Sequence, residues 1–420
     1  MSLFVGAASI LPTLFIGDQE FRTLWGTPKS ITIEVTVLFG CGVLALCFGA
    51  LIGIVISPSA AGLRAPWPGL SDRLIALLRR ASTVLTALTV TGYLGFALLI
   101  VKAGLGPAQL FAGAPNDGST PVRDLIGTVP GVTTLTQAGI AAVVISAILL
   151  AHGFSRAELA KLLIVVGFAV PRAYIFTERL AILELIVPVT LILAARLSFH
   201  HGLRRRFAQL IPFGSLFAIV VVFGTFEYFR SWTFYRLHSS ASFVDFAMSR
   251  FAGYYATAIN NGQLILDHLG WPGRVPYDTL EGFWTAPVIE QTHLYERVAG
   301  HIAPYSRQAD GSMYFNMLDH YGNQEFNNPS GYVGPFVDYG QLGGLVFFFI
   351  AGLAAGLLYQ AFCQGKVFGL LLYPVVFTGL VELPRYIYWS QGRTAYTWIP
   401  LFIVIALAAS AQRKDRHAKT

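Results

Sequence analysis

The chain has 420 residues, of which 55% are hydrophobic and only 12% charged, and its mean hydropathy is +0.60. That balance excludes an ordinary water-soluble globular domain and points to a polytopic membrane protein. A net charge of +7 and a pI near 9.3 would suggest nucleic acid in a soluble chain, but here the basic residues sort by loop, so no nucleic-acid partner is expected.

Crossing a bilayer core takes about 20 predominantly apolar residues. Runs of this kind predict an all-α polytopic membrane protein with about ten transmembrane helices. The predicted spans are Leu3–Ile16, Ile31–Ile56, Ala81–Lys102, Leu135–Ala151, Leu159–Val170, Leu180–Ala195, Ile211–Tyr228, Gly340–Ala361, Phe368–Val381 and Tyr396–Ala409. The opening run lacks a basic n-region and a small-x-small cleavage site, so it reads as a first span rather than a signal peptide. Arg73, Arg79, Arg80, Arg204, Arg205, Arg206 and the tail residues Arg413 and Lys414 concentrate positive charge on one face, which predicts that both termini are cytoplasmic. The longest polar stretch, Arg230 to Phe336, then lies outside. This topology requires the run from Leu159 to Ala195 to be split at PRAYIFTER, where Pro171 disfavours a continuous helix. Three consecutive parts follow: a bundle over 1–229, an extracytoplasmic loop subdomain over 230–336, and a second bundle with a basic tail over 337–420.

Between the first two spans, Asp18, Glu20 and Arg22 form a short charged outer loop. Ser155 stands three residues before Glu158, which fits a helix-capping box. Cys41, Cys47 and Cys363 fall in or beside apolar helices and read as packing residues. At PRAYIFTER, Arg172 and Arg179 stand two helical turns apart, accompanied by Glu178 and Glu184. Two readings are open here: an anion site at the outer surface, or a structural pair of Arg172 with one of the glutamates.

The long loop opens on a stretch, Ser242 to Gly270, whose apolar residues recur every three to four positions. It predicts an amphipathic helix on the membrane surface carrying Arg250, Tyr254, Tyr255, Asn260 and Asn261. The most distinctive passage follows later, NQEFNNPSGYVGPFVDYG from Asn323 to Gly340. Another outer loop, PRYIYWSQGR, combines Arg385 and Arg393 with Tyr386, Tyr388 and Trp389. His293, His301 and His320 lack cysteine partners and a metal-ligand spacing, and there is no phosphate-binding loop, dinucleotide fingerprint or nucleophile elbow. Neither a metal nor another cofactor is expected.

A site facing outward has no nucleotide supply, so synthesis there needs a donor already activated and delivered through the membrane. Arginines suit a lipid pyrophosphate because a guanidinium grips phosphate oxygens bidentately and keeps its charge. Arg172, Arg179, Arg385 and Arg393 are the candidates for that grip. Glu325, His320 and Asp338 are candidate bases for an acceptor hydroxyl. Arg250, Tyr254, Asn260, Asn327 and Asn328 offer hydrogen bonds and stacking surfaces for sugar rings. In this reading Asn323–Gly340 is one wall of a cleft that the two arginine loops complete.

The stretches RAYIFTERLAILELIVP, RFAGYYATAINNG, FNNPSGYVGPFVDYGQLGGL and RYIYWSQGRTAYTWIP, in this order, resemble the Wzy-type O-antigen and exopolysaccharide repeat-unit polymerases over the carboxy-terminal part of the chain. The resemblance implies a GT-C-like integral membrane glycosyltransferase of the bacterial inner membrane with its active site on the periplasmic face. Its donor and acceptor would be undecaprenyl-pyrophosphate-linked oligosaccharides, with membrane lipids around it and a chain-length regulator as a partner. Two other enzymes fit the same residues: an O-antigen ligase, which uses the same donor, and a polyprenyl-phosphate-sugar-dependent transferase. A lipid-linked oligosaccharide transporter is the non-enzyme alternative.

Overall fold

A computed structural model describes residues 1–57, 70–106, 110, 125–127, 129, 131–176, 178, 180–199, 202–232, 235–237, 241–269, 275–305 and 312–417. Most of the outer loop between Ala103 and Gly131, the pair His200 and His201, and Arg179 lie outside these residues. Among the described residues all regular structure is helical and there is no strand. In chain order the helices are α1 (Ser2–Ile10), α2 (Pro12–Phe15), α3 (Asp18–Trp25), α4 (Ile33–Ile56), α5 (Asp72–Lys102), α6 (Ala138–His152), α7 (Arg156–Ile175), α8 (Leu180–Ser198) and α9 (Leu203–Glu227). There follow α10 (Phe243–His268), the short α11 (Glu281–Trp284), α12 (Pro287–Gln291) and α13 (Leu294–Ala299), then α14 (Met313–Tyr321), α15 (Gly334–Cys363), α16 (Val367–Glu382) and α17 (Gly392–His417).

Six of these are long and apolar enough to cross a membrane: α4, α5, α6 with the turn before it, α8, α15 and the Gly392–Ala411 part of α17. The bent pair of Ser2–Phe15 with Asp18–Trp25 makes a seventh if it is one broken span. The remaining expected spans are also helices, but two are short as apolar segments, 217–227 and α16, and α7 carries Arg156, Glu158, Lys161 and Arg172. The expected break at PRAYIFTER is present, but not at the proline. Pro171 is absorbed inside α7, and the helix ends four residues later at Ile175.

The described chain packs as two compact units, neither continuous in sequence. The first gathers residues 1–60, 248–360 and 376–395, and the second 61–247, 361–375 and 396–420. Packing thus groups the chain differently from the three consecutive parts that hydropathy suggests, because the first two spans, the long loop and the eighth span share a core. Phe39, Val43, Leu46, Ile259, Leu264, Tyr314, Phe336 and Phe348 belong to it.

Within the first unit α4 and α15 touch backbone to backbone. A Cβ at Gly49 would strike Phe349 O and one at Gly352 would strike Leu46 O, while Gly53 and Gly356 make the same close approach one turn on. Two small-xxx-small ridges allow this contact, a common solution where lipid removes the hydrophobic drive between helices. At Gly340, φ is 75° and the helical path of α15 breaks. Such a backbone favours glycine, and it separates the short helix carrying Asp338 from the apolar span.

In the second unit α6 is nearly enclosed. Glu158 is buried beneath it: Ser82 Oγ donates to Oε2 at 2.7 Å, Ser146 Oγ at 3.1 Å, and Lys161 Nζ bonds Oε1 at 2.7 Å. Ser155 Oγ accepts from Glu158 N at 3.5 Å. The glutamate side chain therefore joins α5, α6 and α7 instead of closing the expected capping box.

Candidate functional site

Asn323 starts the distinctive passage. Its amide oxygen accepts from Glu325 N at 2.9 Å, and its nitrogen donates to Trp25 O at 2.8 Å, which ties the 3-10 turn Gln324–Phe326 to the end of α3. Asn261 of α10 donates to both Phe326 O (2.7 Å) and Asn328 O (3.0 Å) and so sets the path of the next residues. Ser330 adopts a left-handed φ of 71°. From there the backbone runs beside the α16–α17 turn: Ser330 N donates to Arg385 O at 2.9 Å and Gly331 N to Leu383 O at 3.0 Å. Gly331 leaves no room for a side chain, since a Cβ would fall 2.5 Å from Leu383 O.

This pairing brings Asn328 to Arg385. Arg385 Nη2 donates to Asn328 Oδ1 at 3.4 Å and Nη1 to Glu382 Oε2 at 2.8 Å. The guanidinium carbon lies 5.2 Å from the Tyr386 ring centroid and 5.9 Å from that of Tyr254. Two donors in the cluster, Arg385 Nε and Asn328 Nδ2, are buried without a hydrogen-bond partner. Burial alone would pull the Arg385 pKa down, but the oxygens of Tyr386 and Glu382, and then Tyr255 and Tyr254, hold it above its ordinary value. Burial pushes the Tyr255 phenol up to about 12, with Glu382 adding to the shift, so the ring stays neutral at physiological pH.

A second ion pair lies in the same unit. Arg250 Nη1 meets Glu325 Oε2 at 2.7 Å, with the guanidinium 4.8 Å above the Phe326 ring. Arg250 is buried, whereas the Glu325 side chain is half exposed at 49%. Phe326 and Tyr254 meet edge to face at 5.4 Å. A chain of aromatic contacts therefore runs from Arg250 through Phe326 and Tyr254 to Arg385.

The other sequence candidates occupy different settings. Asp338 accepts from the backbone N of Tyr277, Asp278 and Thr279 and from Thr279 Oγ1 at 2.7–3.3 Å. It organises the turn that leads into α11. Asn260 is fully buried and structural: Oδ1 accepts from Ser30 N and Ile31 N, and Nδ2 donates to Pro28 O. With Gln263 bonded to Thr32 and Asp267, it corrects the picture of α10 as a surface helix. Residues 256–265 are buried, because those amides satisfy the chain end entering α4. His320 is exposed on α14, with Nδ1–H donating to Asn316 O, and Asn327 is exposed. Arg172, in the second unit, bonds Glu178 at 2.9 Å and lies 5.6 Å from the Phe96 ring, the ion-pair arrangement that was one of its two readings.

One group escaped the sequence reading. Glu281 opens α11, its carboxylate taking the Gly392 N–H at the start of α17, beside Arg393. Burial, then the charge of Asp278, raises its pKa to about 7 against the lowering effect of Gly392 and Arg393. The spacing Asp278-x-x-Glu281 was the available signal, since it stacks two carboxylates one turn apart.

No group of three or more metal-ligating side chains occurs among the described residues. What the first unit assembles is a cationic, aromatic and amide-rich cluster with spare donors, suited to accept anionic oxygens. No protein-family model, curated protein or solved structure matches the chain.

Proposed function

We propose that this protein is a membrane glycosyltransferase that polymerises undecaprenyl-pyrophosphate-linked oligosaccharide repeat units, acting on the periplasmic face of a bacterial inner membrane with both termini cytoplasmic. The observation that carries this reading is the pair of buried spare donors, Arg385 Nε and Asn328 Nδ2, set among Tyr254, Tyr386 and Glu382. A buried donor without a partner costs about 1–3 kcal/mol. A site keeps such groups where a ligand satisfies them, and a pyrophosphate oxygen is the acceptor that a fixed guanidinium suits best.

In the transfer, an acceptor hydroxyl of one lipid-linked unit attacks the anomeric carbon of another. The bond from that carbon to the pyrophosphate oxygen breaks, and the hydroxyl proton passes to a carboxylate. Arg385 stabilises the charge developing on the departing pyrophosphate. Glu325 is the exposed carboxylate among the candidates to take the proton, with Arg250 fixing its position. Tyr254 and Asn328 line the approach with a stacking face and an amide.

The test is incubation of the purified protein with a defined undecaprenyl-pyrophosphate oligosaccharide, reading chain length by mass spectrometry. A ladder of multiples of the unit is expected. Transfer only to a lipid A core acceptor, without lengthening, would convert the reading to a ligase. Movement of the intact lipid across proteoliposomes with no new glycosidic bond would overturn both.

A further inference from the structure

The proposed activity leaves unused a short amphipathic segment of the first unit, running from the 3-10 turn Asp278–Leu280 through α11 into α12. It is held against the turn between α16 and α17. Ser390 Oγ donates to Asp278 O at 2.7 Å, and the Gly392 N–H is taken by Glu281. Gly282 lies so close to the turn that a Cβ there would stand 3.0 Å from Ser390 O and 3.2 Å from Gln391 O. A Cβ at Gly392 would strike Thr285.

These contacts fix the depth of the segment. Gly392 is the first residue of an apolar stretch long enough to cross a membrane, Gly392–Ala411. Whatever packs on residues 390–392 therefore lies level with the first turn of a span, where headgroups give way to acyl chains. At that level the segment leaves Leu280 42%, Phe283 49% and Val288 75% exposed. Trp284 stacks edge to face on Phe283 at 4.9 Å and donates its indole N–H to Pro276 O. An aromatic pair whose polar group is satisfied by the chain suits the membrane interface. In water the same three apolar side chains would be a liability.

We propose that residues 280–288 are an interfacial anchor, with Leu280, Phe283 and Val288 inserted into the leaflet at which α17 begins. The occupant of this surface is the bilayer itself, because the segment packs on Ser390, Gln391 and Gly392, the residues at which an apolar span begins. The inference is independent of the proposed enzymatic activity. Its consequence for the site is positional: the turn that carries Arg385 is held at headgroup depth, where the phosphates of any lipid-borne ligand lie.

Nitroxide labels report the depth directly. In a full-length chain with Cys41, Cys47 and Cys363 replaced by alanine and reconstituted in phosphatidylethanolamine/phosphatidylglycerol vesicles, Phe283→Cys, Val288→Cys and the control Glu290→Cys are labelled one at a time. Collision with oxygen, which concentrates in the bilayer, is expected to exceed collision with a water-soluble nickel chelate several-fold at 283 and 288, and the reverse at 290. Nickel accessibility at 283 and 288 equal to that at 290 would overturn the anchor, as would dipolar broadening showing that a second copy covers the surface. Brominated lipids give the same reading on a chain with its native cysteines. Trp284→Phe should remove a quenched component of the emission, and loss of an unquenched one counts against the anchor.

Discussion

Arg385 and Arg172 make the same local contacts and differ in what completes them. Each bonds a glutamate close in sequence, at 2.8 Å for Glu382 and 2.9 Å for Glu178. Each lies near an aromatic ring and keeps a buried Nε without a hydrogen bond. Around Arg385, however, the remaining neighbours are an amide with its own spare donor and the tyrosines 254 and 386. Around Arg172 the remaining neighbours are the Tyr93 phenol, which it hydrogen-bonds, and the Phe96 ring, which sits in a small apolar cluster with Ile126 and Phe176. A guanidinium beside a carboxylate is thus not by itself an anion site. A second spare donor converging on the first, as Asn328 Nδ2 does on Arg385 Nε, distinguishes a group held for a ligand from one that ties helices together.

Single substitutions separate the two roles. Arg385→Gln should lower polymer formation in the purified system by roughly 10²–10³, the loss typical of one transition-state donor. Arg385→Lys should recover little of it, since a point charge cannot reproduce the planar fork. The melting temperature in detergent should fall as well, because Glu382 is left buried without its guanidinium, so turnover is read per folded molecule. Arg172→Gln should cost a comparable amount of stability, about 3 kcal/mol, by breaking a largely buried ion pair with Glu178, while the surviving folded protein keeps its turnover. Equal loss of turnover per folded molecule in both variants would erase the distinction.

How far the sequence reveals this contrast follows from how local each signal is. Apolar runs locate the helices, and Asn323–Gly340 stands out as the most distinctive polar passage. Its encounter with PRYIYWSQGR could be suspected only from residue chemistry. The backbone bonds that produce it, from Ser330 to Arg385 and from Gly331 to Leu383, leave no periodic trace. The reading of α10 went astray for the same reason. Asn260 looks like a sugar ligand until the backbone of residues 28–31, some 230 positions away, takes its amide. The repeated small-xxx-small pattern of Gly49/Gly53 and Gly352/Gly356 was local and could have predicted the α4–α15 contact. Glu158 shows the opposite case, a good capping-box spacing overridden by two serines on other helices.

Arg393 offers a third arginine with which to sharpen the comparison, through the carboxylate beside it. Glu281 has a folded pKa of about 7 against 4.5 for the free side chain. Between these values the folded state holds a proton that the unfolded state has lost, so stability falls as pH rises through that window. Glu281→Gln should therefore stabilise the protein at pH 8, by at most about 3 kcal/mol, and the gain should vanish below about pH 5. Melting temperatures of the two proteins across that range check the sign. A gain that persists at low pH would mean that the effect is packing and not ionisation.

The smallest expected stability effect belongs to Glu325, and it bears most directly on the chemistry. Its pair with Arg250 is half open to solvent, so Glu325→Gln should change stability by less than about 1 kcal/mol. If the carboxylate only anchors Arg250, turnover should follow stability and stay near wild type, because glutamine still accepts a hydrogen bond from the guanidinium. If it takes the acceptor's proton, turnover should fall about 10²–10⁴-fold with an unchanged melting temperature. Arg250→Lys provides the internal control, since it keeps the charge pair but loses the guanidinium stacked on Phe326. Weakened turnover there, with a pH profile shifted relative to wild type, would identify Arg250 as the residue that positions Glu325. An active Glu325→Gln enzyme would leave the proton to another group, and the comparison would then turn on Arg385 alone.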